Sequence, residues 1–83
     1  MKFQLYKQVA LTRDIQEDGL RKGDVATVVD HHTHPEPGGE DGYSIEVFNA
    51  VGDTIVVTVV PESAIEALRD DQVLSVRLLA KTA

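Results

Sequence analysis

Three histidines crowd one short stretch, "HHTHPEPGGEDG", where His31, His32 and His34 are followed by Glu36, Glu40 and Asp41. Neutral imidazoles and carboxylates are competent ligands for zinc, nickel or copper, and on an extended segment His32 and His34 would project from one face. The same stretch holds two prolines and three glycines, so any metal would first have to order it. The expected reading is a flexible, solvated hairpin loop over residues 31–42 that binds no metal, with a metal site as its rival. Nucleophilic catalysis would need a placed nucleophile and base, and Ser44, Ser63, Ser75 and the loop histidines are the candidates. Ser44 and Ser75 fall at solvent-facing strand positions and Ser63 in the first turn of a short helix, which are common places for serine. Neither an enzyme nor a cofactor is expected.

A second candidate is "GLRKGDVATVVD", residues 19–30. It resembles the KOW type of ribosomal and transcription-factor motif, in which Gly-Asp before a β-branched strand makes a tight turn that presents basic residues to RNA. Arg13, Arg21 and Lys22 would be the contacts. They are flanked by Glu17, Asp18 and Asp24, and no run of exposed aromatics accompanies them to stack bases. The expected role is therefore structural: Gly19 and Gly23 take positive φ, Asp24 caps the turn through its carboxylate, and Val25 and Val29 enter the core.

The charge balance points the same way. The formal net charge is −6, and it is uneven: residues 1–24 carry five cations against four carboxylates, whereas residues 25–83 carry three against ten. Such a surface repels phosphate backbones and anionic lipid, and it favours steered association with basic proteins. With no cysteine among 83 residues there is neither a disulfide framework nor a thiolate site. The opening "MKFQLYKQVA" lacks the apolar run of a signal peptide, and no stretch reaches the roughly eighteen apolar residues of a membrane span. A cytoplasmic location without membrane contact is expected.

These residues need a scaffold, and the dominant signal is apolar alternation at period two in short bursts separated by turn residues. Strands are predicted at Gln8–Leu11, Val25–Asp30, Tyr43–Phe48 and Thr54–Val60. Pro61 ends the fourth and suits the first position of a one- or two-turn helix, "PESAIEALR". Asp70 and Asp71 stop that helix, and Val73–Leu78 is predicted as the fifth strand. Strand, long loop, three-strand meander, short helical turn and last strand is the order of an SH3-like barrel, so one mainly-β, five-stranded, SH3-like domain is expected over residues 1–83.

The stretches "LYKQVALTRDIQEDGLRKGDVATVVD" and "YSIEVFNAVGDTIVVTVVPESAI" resemble the bacterial family called domain of unknown function 4926. The resemblance implies an SH3-like barrel with no established activity, often encoded beside another small gene. An antitoxin-like or accessory subunit of a neighbouring gene product is the role it suggests. The histidine loop and the tail after Leu68 extend beyond the family's core pattern.

The most informative segment is "TIVVTVV", Thr54 to Val60. Ile55, Val57 and Val59 form one face, yet Val56 and Val60 make the opposite face apolar as well. A single small core accepts one face of a strand, so the other must meet the chain's own tail or another chain. The expected protein interface is Val56 and Val60, with Leu74 and Leu78 of "VLSVRLLA" beside them. The partner is another protein, basic in character, or a second copy forming a homodimer.

Overall fold

The computed structural model describes residues 1–79, and the regular elements among them are five strands and two single 3-10 turns. The strands are β1 (Gln8–Leu11), β2 (Val25–His32), β3 (Gly42–Phe48), β4 (Thr54–Pro61) and β5 (Ile65–Ala67), and the turns are Gln16–Asp18 and Glu62–Ala64. They form one antiparallel sheet in the order β4-β3-β2-β1-β5. The protein is thus mainly β and five-stranded, with a helical turn directly before its last strand. Among the described residues the ladder stays open, with β4 and β5 as its two hydrogen-bonding edges.

The last strand is not the predicted one. The helical turn stops at Ala64 because Ile65 takes extended backbone angles, φ −131° and ψ 154°, and pairs with Leu11 of β1. Both side chains are thereby buried, which outweighs what a helix too short to nucleate could gain. Residues 73–79 form no strand, since β5 already occupies the outer side of β1. A turn follows β5, in which the Gln72 amide donates to the Arg69 carbonyl at 3.2 Å and the Arg69 amide to Gln72 Oε1 at 2.7 Å. From there Val73, Leu74 and Val76 pass over a half-open groove of about 850 Å³ whose other walls include Ala10, Val25 and Ile55.

Register decides which face of each strand is inside, because directly opposed residues share a face of the sheet. β3 presents Tyr43, Ile45 and Val47 to the core, as its alternation predicts. Their partners on β4 are Val60, Thr58 and Val56. Val60 is accordingly buried and Val56 packs half-buried against the core, so these two are not the exposed interface predicted from the sequence. The outward row of β4 is Ile55, Val57 and Val59. The same logic corrects β2: Val28 opposes Ile45 and Ala26 opposes Val9, so Ala26 and Val28 are core, whereas Val25 and Val29 are half-buried.

Tyr43 joins the parts of the domain. Its hydroxyl accepts hydrogen bonds from the Lys2 and Phe3 amides at 3.0 and 3.3 Å and donates to Glu62 Oε2 at 3.0 Å. Its ring meets Phe3 edge-on, with centroids 5.4 Å apart. One side chain of β3 thus holds both the N-terminal segment and the turn before β5.

Candidate protein interface

β4 has eight residues, "TIVVTVVP", and none is charged. One side pairs with β3, and the other has no strand partner among the described residues. Edge strands are ordinarily protected by lysine, by proline within the strand or by shortness. β4 has only the terminal Pro61. Along its outer row Val57 is 57 % exposed and Val59 61 %, with Ile55 beside them. Glu46 opposes Val57, and its Oε2 accepts the Thr54 hydroxyl at 2.5 Å, leaving a carboxylate next to the apolar row. An unpaired backbone edge, an aliphatic row and an adjacent negative charge are what an extended, basic and apolar segment would recognise.

The histidine grouping that the rival metal reading requires does not assemble. β2 continues through His31 and His32, which pair with Tyr43 and Gly42, so the connecting loop is shorter than the predicted 31–42. A bulge between Val28 and Asp30 turns His31 towards Tyr43, with ring centroids 5.0 Å apart, and its Nε2 lies 2.8 Å from Asp41 Oδ2. His32 lies on the other face, its Nε2 2.8 Å from Ser44 Oγ, while the His34 ring stays with the backbone of Glu36. Among the described residues no three His, Cys, Asp or Glu side chains are grouped to hold a metal ion. Half-buried Ser44 and exposed His32 form a pair, and among the described residues no third side chain hydrogen-bonds His32 to orient it.

The loop is instead organised by Asp41. The His34 amide donates to its Oδ1 at 3.0 Å, and with the His31 contact this holds the carboxyl below its ordinary value of 3.8. A carboxyl lowered in the folded state contributes stability that is complete above the unfolded value and is lost as pH falls through the folded one. The thermal midpoint should therefore fall more steeply with acid below about pH 4 in the unmodified chain than in Asp41→Asn. Midpoints recorded from pH 7 to pH 2 check this, and parallel curves would refute it.

At two of the basic positions it is the backbone amide, not the charged side chain, that meets a carboxylate. The Arg21 amide donates to Asp24 Oδ2 at 2.8 Å and the Lys22 amide to Asp14 Oδ1 at 2.8 Å, so the turn is capped as its sequence predicts. Gly19 and Gly23 adopt φ of 69° and 91°. The corner is tied to β1 by Gly23 N–H to the Leu11 carbonyl and Leu11 N–H to the Asp24 carbonyl, at 2.8 and 2.9 Å. Hydrogen bonds from Ser63 hold the Glu40 carboxyl below its ordinary value, and the charge of Arg13 adds a smaller effect in the same direction.

Asp24 has a further role that the sequence did not disclose. Arg77, on the tail, donates from Nε to Asp24 Oδ1 at 2.8 Å and from Nη2 to Asp24 Oδ2 at 2.6 Å. Burial alone would raise the Asp24 carboxyl, but the Arg77 hydrogen bonds and the Arg21 amide outweigh it and hold the group below its ordinary value. The tail residues Leu74 and Leu78 are exposed, whereas Val60, predicted to share an interface with them, is buried. Ala80, the last residue of "VLSVRLLA", is outside the described residues.

Fold and surface together define a small β module with an uncharged, open edge strand and an acidic exterior. The profile of the family described as domain of unknown function (DUF4926) matches residues 5–67. The chain belongs to that family. Comparison with curated proteins and with solved structures gave no significant match.

Proposed function

We propose that this protein is a non-enzymatic binding module that takes an extended segment of another chain along the edge of β4. The observation that carries the reading is the uncharged edge strand with three aliphatic side chains turned outward. Main-chain hydrogen bonds would supply affinity, and the outward row would select alternating apolar side chains. The acidic exterior favours a basic partner. An accessory or antitoxin-like subunit in the cytoplasm, acting on a neighbouring gene product, is consistent with such a surface, and the strand order suits an SH3-like frame.

In the absence of a partner, two copies would pair through the same edge. A two-fold axis at Val57 sets that residue beside its equivalent and Ile55 beside the second copy's Val59, which merges the two outward rows. Burying part of six aliphatic side chains contributes on the order of several kcal/mol, enough for a weak dimer once association entropy is offset. At about 100 μM the unmodified chain should sediment as a dimer, and Val57→Lys as a folded monomer, because the lysine places charge at the centre of the contact. A chain that is monomeric at that concentration, with β4 amides exchanging as fast as in Val57→Lys, would overturn the reading.

A further inference from the structure

Among the described residues the tail is hydrogen-bonded to the body of the domain through one side chain. Among the described residues beyond Leu68, Arg69 makes its polar side-chain contact with Asp71 and Gln72 bonds the Arg69 amide, both within the turn. Arg77 alone reaches back to the body. Its neighbours gain little: Val76 is 86 % exposed and Leu78 89 %, and the segment has no strand partner. Beneath it lies the half-open groove of about 850 Å³, which the tail bridges without filling. A segment that evolved only to complete the fold would turn its aliphatic side chains inwards, where burial stabilises them.

The corner, by contrast, is built to receive a guanidinium. The Arg21 amide fixes the Asp24 carboxylate from behind, leaving both oxygens to accept a two-pronged contact. The Gly19 carbonyl adds a third acceptor, 3.3 Å from Nη2, and it is aimed by the left-handed backbone of Gly19. Asp14, fixed through the Lys22 amide, adds negative charge near the same guanidinium. Gly19, Asp14 and Asp24 lie within the family match at residues 5–67, and Arg77 lies beyond it. The receptor thus belongs to the shared domain, whereas the arginine that fills it here belongs to the appended tail.

We propose that the Gly19–Asp24 corner and its groove form a docking site for an arginine flanked by aliphatic residues on an extended segment of a partner protein. Residues 73–79 of the chain's own tail occupy the site as a displaceable stand-in. The groove meets the β4 row at Ile55 alone, and the guanidinium receptor at Gly19, Asp14 and Asp24 does not depend on the reading of that edge. Its occupant is defined by charge complementarity: a planar guanidinium for two fixed carboxylate oxygens and a carbonyl, with apolar neighbours for the groove. A partner must displace the tail, and the tail competes at the high effective concentration of a tethered segment.

The test uses the full chain and, as probe, a free peptide of its own residues 72–79, QVLSVRLL. Arg77→Gln removes the tethered competitor without touching the receptor. Amide shifts of Arg21 and Gly23 should then saturate at a peptide concentration at least about 10-fold lower in Arg77→Gln than in the unmodified chain, the discrimination expected of a charge-assisted, two-pronged contact. A peptide carrying glutamine in place of arginine should leave those shifts unchanged, and so should the arginine peptide added to Asp24→Asn. If Asp24→Asn fails to fold, the glutamine peptide decides the point alone. The proposal is overturned if Arg77→Gln shows no shift at millimolar peptide, or if both peptides act alike. It is overturned too if Arg77→Gln leaves the Val76 amide where it was, since the arginine would then not hold the tail.

Discussion

Val60→Lys should not fold, while Val59→Lys, one residue away, should fold with a thermal midpoint within a few degrees of the unmodified chain. The two valines are neighbours on β4 with opposite fates. Val60 is 2 % exposed, opposes Tyr43 and packs in the cluster with Val28 and Ile45. A lysine there must leave an ammonium group unpaired in an apolar interior or force the sheet apart, at a cost of several kcal/mol. An 83-residue domain has a total stability of about 5–10 kcal/mol, so that loss removes most or all of it. Val59 opposes Ser44 on the outward row, where a lysine reaches water without disturbing a neighbour. Far-ultraviolet circular dichroism during heating distinguishes the two. A folded Val60→Lys together with an unfolded Val59→Lys would reverse the assignment of the faces.

The second large effect is expected at Tyr43, with its components separable. Tyr43→Phe keeps the ring, and with it the edge-on contact to Phe3 and the tilted contact with His31, but removes the hydroxyl. The Lys2 and Phe3 amides then lose their acceptor and Glu62 its donor. Leaving these groups unsatisfied costs about 1–3 kcal/mol, or roughly 5–20 °C in midpoint for a domain of this size. Tyr43→Ala also empties the centre of the core and should cost about 3–5 kcal/mol, leaving the chain largely unfolded near 37 °C. Hydrogen exchange separates a local from a global effect. In Tyr43→Phe the Phe3 amide should lose its protection first, while the β2–β3 ladder keeps most of its own. Equal loss of protection at both would mean that the hydroxyl serves the whole fold and not the attachment of the N-terminal segment.

Much of the scaffold was legible in the residues. The alternation at Tyr43, Ile45 and Val47 names a strand and its buried face together, because the intervening Ser44 and Glu46 permit no other choice. The turn glycines and the capping carboxylate at Asp24 follow from local chemistry alone: only glycine takes φ near +70° to +90° at no steric cost, and Asp24 reaches an amide three residues before it. The four longer strands are likewise legible to within two residues, β2 running on to His32 and β4 through Pro61, which still pairs with Gly42.

The candidate sites were less legible, and the reasons differ. β4 is apolar on both faces, so its composition does not say which is inside. Pairing with β3 does, by placing Val60 opposite Tyr43 and leaving Val57 and Val59 outward. The histidines are adjacent in sequence, yet a strand sends neighbours to opposite faces and the bulge at Val29 adds a further shift, so His31 and His32 separate. Phe3 gave no signal, because a single aromatic before the first strand does not reveal a hydroxyl 40 residues away.

What the residues determined by themselves is therefore what depends on near neighbours and composition: the strands and turns, the absence of cysteine chemistry, and a net negative charge. What only the tertiary structure decided depends on pairs distant in the chain. Leu11 meets Ile65 and makes 65–67 the last strand, while Arg77 meets Asp24 across 53 residues and lays the tail over the groove. Periodicity reports which side chains share a face of one strand. Only strand register and the closure of long loops report which strand, or which carboxylate, that face will meet.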